Sequence, residues 1–180
     1  MAGSQADDDF VQYVSARLHR LHRAAYLMCG EAHQADDLVQ STLVSLYTQW
    51  RQARSAANLD GYVHRILARR FIDERRSAWS RVLLPGRLPD VVEPDRDAYV
   101  DRVAIVGALR TLPAGQRAVI VLRYYSDLSV EETARALGCS TGNVKSQCSR
   151  GLATLRRALS PDTADQPPTF RDREEIGIER

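Results

Sequence analysis

From Cys139 to Ser160 the chain carries Lys145, Arg150, Arg156 and Arg157 and no acidic residue, with Asn143, Ser146, Gln147 and Ser149 set among the cations. Cations neutralise phosphates and release their counterions, while amides and hydroxyls match base edges, so this composition suits a nucleic-acid duplex. Val144, Leu152 and Leu155 fall together at helical spacing and predict a helix that packs by one face. Just upstream, Ser129 and Glu132 stand three apart as a capping box, and Gly138 is the residue type favoured where a helix stops in left-handed backbone. The predicted local structure is helix, tight turn, helix, which lets a second helix enter the major groove with its early residues on base edges.

A second basic stripe lies earlier. Arg65, Arg69 and Arg76, with Arg70 and Arg75 beside them, sit off the apolar positions of a predicted helix. Before it, Trp50 to Gly61 (WRQARSAANLDG) is a polar loop holding Arg51, Arg54 and Asn58, with an aromatic residue at its start. Charge along a backbone path, plus an aromatic platform or pocket for an unstacked base, is what a single strand requires.

Other chemistries find little support. His19, His22, His33 and His64 have no nearby nucleophile with an orienting acid, and no glycine-rich phosphate loop occurs, so no catalytic residue and no cofactor is expected. Cys29, Cys139 and Cys148 are odd in number and lack framework spacing, which predicts reduced thiols. Cys29 and His33 could share one helical face, but structural zinc wants four ligands and the other two cysteines belong to no ligand motif, so no metal is expected.

The elements that must position these groups read as helices throughout, and the fold class expected is all-α. Phe10, Val14, Leu18, Leu21 and Ala25 trace one apolar stripe. Leu38, Val39, Thr42, Leu43, Leu46, Tyr47 and Trp50 trace a second, with Asp36, Asp37, Gln40, Ser41 and Gln49 largely off it, and Tyr62, Val63, Ile66, Leu67 and Phe71 trace a third. Val103, Val106, Leu109 and Leu112 predict a short helix stopped by Pro113, and Gln116 to Tyr125 a further one, dense in apolar residues, broken by Ser126 to Leu128.

Of 180 residues, 44% are hydrophobic and 27% charged, a balance that excludes wholesale disorder. The net charge of +2 conceals two basic bodies: residues 10–79 hold ten arginines against six acids, and residues 104–160 eight basic residues against three acids. Residues 1–9 and 161–180 are each acidic. Pro85, Gly86, Pro89 and Pro94 mark a linker. The expected organisation is an acidic segment 1–9, a helical domain 10–80, a flexible linker 81–101, a second helical domain 102–160 and a mobile tail 161–180. No apolar run reaches the roughly 18 residues of a membrane span and the amino terminus is acidic, so a cytoplasmic protein without membrane insertion is expected.

At this point the residues carry a resemblance. ADDLVQSTLVSLYTQW (Ala35 to Trp50) followed by GYVHRILARRFIDERR (Gly61 to Arg76) resembles region 2 of bacterial sigma factors, and Leu112 to Leu159 resembles region 4. Two blocks in this order with a short linker resemble the extracytoplasmic function (ECF) group of the sigma-70 family. The resemblance implies a transcription initiation factor, not an enzyme, with core RNA polymerase (β′ clamp helices and β flap) and promoter DNA as partners, and an anti-sigma factor as a further one. Asp36, Asp37 and Gln40 occupy the motif that docks on the clamp helices. The loop with Trp50, Arg51, Arg54 and Asn58, and the helix with Arg65, Arg69 and Arg76, occupy the segments that capture and grip the −10 strand. Asn143, Lys145, Ser146, Gln147, Ser149 and Arg150 lie on the helix that reads the −35 duplex. Arg69 stands where the family often has Asn, and Ser41 where Glu often follows the Gln. A stand-alone helix-turn-helix regulator would account for the second body but leaves the DDLVQ face and the loop of the first without a task.

Overall fold

The computed structural model describes the backbone of residues 2–81 and 96–160, and the side chains of residues 5–75 and 103–160. The expected linker lies mostly, and the expected tail wholly, outside the described residues, as does the side chain of Arg76. All the regular structure among the described residues is helical: α1 (Ala2–Cys29), α2 (Ala32–Thr48), a single turn α3 (Trp50–Ala53), α4 (Leu59–Arg81), α5 (Arg96–Arg110), α6 (Ala114–Ile120), a π-helical turn Val121–Tyr125, α7 (Val130–Leu137) and α8 (Thr141–Leu159). Residues 2–9, set apart by their acidity in the sequence, continue α1 without a break.

The predicted stripes bury for the most part as helical geometry requires, although Leu18, Tyr47 and Val103, which spacing places on them, stay exposed. Met28 of α1, Leu38 and Leu46 of α2, and Leu67 and Phe71 of α4 are each at most 1% exposed and form one core. The local stop signals also act as expected. Ser129 Oγ accepts from Glu132 N at 3.0 Å while the Glu132 carboxylate accepts from Ser129 N at 2.8 Å, so two otherwise orphaned amides are satisfied at the start of α7. Gly138 ends α7 at φ +65°, where any Cβ would be strained, and Ser140 caps α8 by accepting from Asn143 N.

The core does not stop at the boundary between the two halves. Ala118, Val121, Leu122, Leu128 and Ala136 join the cluster built by α1, α2 and α4. The dense run from Val119 to Leu122 explains this: a helix apolar all round must be buried all round. Val119 packs toward α7 and α8, Ile120 toward Leu109 and Leu155, and Val121 with Leu122 toward the amino-terminal half. The single helix expected over Gln116 to Tyr125 widens to a π turn over its last five residues, where Ser126 N donates to Val121 O and Leu128 N to Leu122 O.

A buried arginine fastens this junction. Arg117, 8% exposed, donates through Nη1 to Met28 O at 2.8 Å and through Nη2 to Arg110 O and Leu112 O, both at 3.1 Å. Burial, with Arg75 close by, pushes its pKa down to about 10. Arg75 donates to the next carbonyl, Cys29 O, and a Cβ on Gly30 would lie 2.6 Å from Arg110 Cδ. Three cations thus gather at the carboxyl end of α1, where the helix dipole is negative.

Candidate nucleic-acid and partner interfaces

The recognition helix is built by packing one face and leaving the other to solvent. Val144 is fully buried, and Gly151 lets α8 approach α6 so closely that a Cβ there would sit 3.0 Å from Ile120 Cγ1. The opposite face presents Asn143, Lys145, Ser146, Ser149 and Arg150, all exposed, while Gln147 is half-buried and donates to Asn143 Oδ1 at 3.4 Å. All six residues singled out by the sequence therefore lie on the first turns of α8, with no carboxylate on the helix. Cys148 points the other way, into the packing beneath, within 3.6 Å of Tyr124 Oη.

A second surface lies along α2. Asp36, Asp37 and Gln40 are exposed, while Ala35, Leu38, Val39, Thr42 and Leu46 are buried beneath them. His22 of α1, which no periodicity connects with this face, lies with Nε2 2.7 Å from Asp36 Oδ1. Ser41 turns back and donates to Leu38 O, so its hydroxyl is engaged within the helix. The four-residue spacing of Cys29 and His33 makes no ligand pair: Cys29 is buried, with burial pushing its thiol up to about 11, and His33 is exposed.

The third surface runs from α3 along α4. Arg51, Arg54, Asn58, Arg65 and Arg69 are exposed, and Arg54 is paired with Asp9 at 3.4 Å. Trp50 departs from the expectation of a stacking platform. It is 5% exposed, with its ring centroid 5.3 Å from Phe10 in an edge-to-face contact and 5.6 Å from Tyr13. Its ring is a pedestal under the loop, because Phe10, far away in sequence, covers it.

Asn58 anchors the start of α4 by accepting from Gly61 N at 2.8 Å. Beside it Asp60 accepts from Tyr13 Oη at 2.7 Å and pairs with Arg17 at 3.2 Å. Burial works to raise the Asp60 pKa, but these two donors outweigh it and hold the carboxyl below its ordinary value. Between α2 and α4, a groove of about 400 Å³ is lined by Gln49, Tyr62, Arg65, Arg69 and Arg70, with Tyr62 Oη donating to Gln49 Oε1 at 2.8 Å and Arg70 donating to Ser45 Oγ. Asp73 and Glu74 line the same groove, so its three arginines are balanced in part by two carboxylates, and a polar groove of this kind beside the loop can hold a base edge.

Comparison with known proteins gives these surfaces a context. Residues 8–81 match the family model described as Sigma-70 region 2, and residues 102–155 that described as Sigma-70, region 4. The chain is 33% identical over 168 residues to an RNA polymerase sigma-E factor of Streptomyces avermitilis, covering 93% of this chain and 94% of that one. It is 37% identical over 146 residues to the ECF RNA polymerase sigma factor SigM of Mycobacterium tuberculosis, covering 79% and 74%. Among solved structures, it is similar to a co-crystal structure of the sigma factor RpoE with the anti-sigma factor NepR from Bartonella quintana. That likeness has a TM-score of 0.73 at 28% identity, over 86% of this chain and 98% of that one.

Proposed function

The chain belongs to the extracytoplasmic function group of the sigma-70 family, initiation factors that bind RNA polymerase and direct it to promoters, and on that premise we propose how its surfaces divide the work. The exposed face of α2, with Asp36, Asp37 and Gln40, docks on the β′ clamp helices of core polymerase in the cytoplasm, and the carboxy-terminal half contacts the β flap. Exposed acid and amide groups on a helix whose other side is packed suit a rigid interface that presents no floppy side to its partner. The first turns of α8 enter the major groove of the −35 element. Lys145 and Arg150 are suited to guanine acceptors or phosphates, and Ser146, Ser149, Asn143 and Gln147 to base edges and backbone oxygens.

The loop after α3 and the basic face of α4 take the separated −10 strand, with Arg51, Arg54, Asn58, Arg65 and Arg69 along its path and Arg76 further on. A flipped base trades lost stacking for contacts in the groove between α2 and α4. Trp50 supports that loop from below and does not touch the base. The domain limits that go with this division are 10–80 and 102–160. The solved RpoE relative is bound to an anti-sigma factor, and a protein of that kind is proposed as a further partner of this chain.

The observation that most supports the reading is the coexistence of two exposed faces of opposite chemistry, the acidic start of α2 and the acid-free start of α8. Replacing Asp36, Asp37 and Gln40 together by Ala tests the docking half. Core polymerase binding should be lost while the helical circular dichroism is kept, because none of the three is buried; unchanged affinity would reject the assignment.

A further inference from the structure

From Arg54 to Asn58 the chain leaves helix, and the three residues in the middle, Ser55, Ala56 and Ala57, are small. Left to itself such a segment samples many backbone states, and fixing one of them opposes the binding of anything that needs it. Helix α1 supplies the fixing contacts. At the entry to the loop, Trp50 lies against Phe10 and Tyr13, and Arg54 pairs with Asp9. At the exit, Asp60 accepts from Tyr13 Oη at 2.7 Å and from Arg17 Nε at 3.2 Å. Tyr13 therefore joins the two ends: its ring is packed on Trp50 and its hydroxyl is bound to Asp60. Burial and the Asp60 bond raise the pKa of Tyr13, so it keeps its proton and remains a donor.

Two further bonds carry this anchorage into α4. Asn58 Oδ1 accepts from Gly61 N at 2.8 Å, and Asn58 lies so close over Gly61 that a Cβ there would be 2.9 Å from Asn58 Nδ2. His64 lies one turn beyond Asp60, and its Nδ1 donates to Asp60 O at 2.8 Å. None of these supports needs to touch a strand. At helical spacing, positions 60 and 64 fall on the opposite side of α4 from 62, 65 and 69. Tyr13, Arg17, Asp60 and His64 accordingly line a cavity distinct from the groove that holds Tyr62, Arg65 and Arg69.

Resting on the −10 assignment of this loop and of the α4 face, we propose that Tyr13 and Arg17 are positioning residues for base capture: through Asp60 they hold the loop in its capturing shape before the strand arrives. Ordering of the loop is then not subtracted from the binding of the strand, as in any preorganised site. The effect falls on bases more than on phosphates. A mobile arginine attracts a phosphate from many directions, whereas an unstacked base is recognised only by a pocket of fixed shape. Loosening the clasp should therefore cost discrimination between bases first and strand affinity second.

The test uses holoenzyme formed from core polymerase and the full chain, with a pool of DNA fragments that are duplex at both ends and carry a central unpaired segment of randomised sequence. Bound fragments are sequenced, and the fraction of the pool bound is measured alongside. The wild-type chain should enrich one base at one or more unpaired positions by at least about tenfold, the scale of a base held by stacking and pocket contacts. Tyr13→Phe combined with Arg17→Gln removes the hydroxyl and the cation but keeps the ring against Trp50. It should bring that enrichment below about threefold, with core affinity and helical circular dichroism unchanged, which a merely structural role would not leave intact.

Enrichment as strong in the double variant as in the wild-type chain would overturn the clasp. The −10 assignment would still stand in that case if Arg65→Ala with Arg69→Ala weakens binding of the pool. A wild-type chain that enriches nothing would also reject the clasp, since no base is then captured, and pool binding indifferent to Arg65→Ala with Arg69→Ala would reject the −10 assignment as well. Should the double variant lose its helical signal or its core affinity, Arg17→Gln alone takes its place, because that side chain is half exposed and lies outside the core. Undiminished enrichment in Arg17→Gln would likewise overturn the proposal.

Discussion

Arg117 shows how much one side chain can carry. Its three carbonyl acceptors come from the end of α1, the end of α5 and the turn that follows α5. Arg117→Met fills the volume but leaves the buried Met28 and Leu112 carbonyls and the part-buried Arg110 carbonyl without this donor, and a loss on the order of 2–4 kcal/mol in urea unfolding is expected; a loss below about half a kcal/mol would mean water substitutes for the guanidinium. His64 supplies a different residue-scale effect. Burial holds its imidazole below the ordinary value of 6.5 while its Nδ1 stays 2.8 Å from Asp60 O. Below 6.5 the unfolded chain therefore binds the proton more readily than the folded one, and stability falls with falling pH. Asp60, held below 3.8, adds stability that is present above that value and is lost as pH drops through its lowered folded one. His64→Gln should remove the decline that begins just under pH 6.5 and spare the one below 3.8, as urea midpoints across the pH range would record; an unaltered profile would assign the decline to another group.

At the scale of elements, α7 and α8 work as a pair because their ends are locally encoded. The capping box, the left-handed glycine and the Ser140 cap are legible from spacing alone, since each depends on residues within four positions of one another. The burial of Trp50 is not legible. An aromatic at the start of a loop reads the same whether it stacks on a base or on Phe10, and the contact that decides lies about forty residues away. Nor can the π turn at Val121–Tyr125 be foreseen, although the unbroken apolar run before it already demands neighbours on every side. The packing of α7 on α4 lies further still from sequence reasoning, because Ala68, Ala136 and the Arg69–Ala136 bond join segments with no shared period. For α8 itself, Lys145→Ala and Arg150→Ala should each weaken transcription that depends on the −35 element by about 1–3 kcal/mol if the side chain makes a paired base contact. Promoters with and without that element then separate base reading from phosphate attraction: equal losses on both would make the contact nonspecific.

On the scale of the molecule, two basic halves meet in a shared apolar core. The acid-free turn of α8 and the acidic start of α2 are open to partners, while the cationic face of α4 is partly engaged by α7. The central claim is that this one chain selects promoters for RNA polymerase, and the most direct measurement adds it to core enzyme and maps transcript starts across a whole genome in vitro. Discrete new starts, each preceded by the same two spaced elements and lost with the Asp36, Asp37 and Gln40 replacement, are the expected result. Starts indistinguishable from those of core enzyme alone would contradict it.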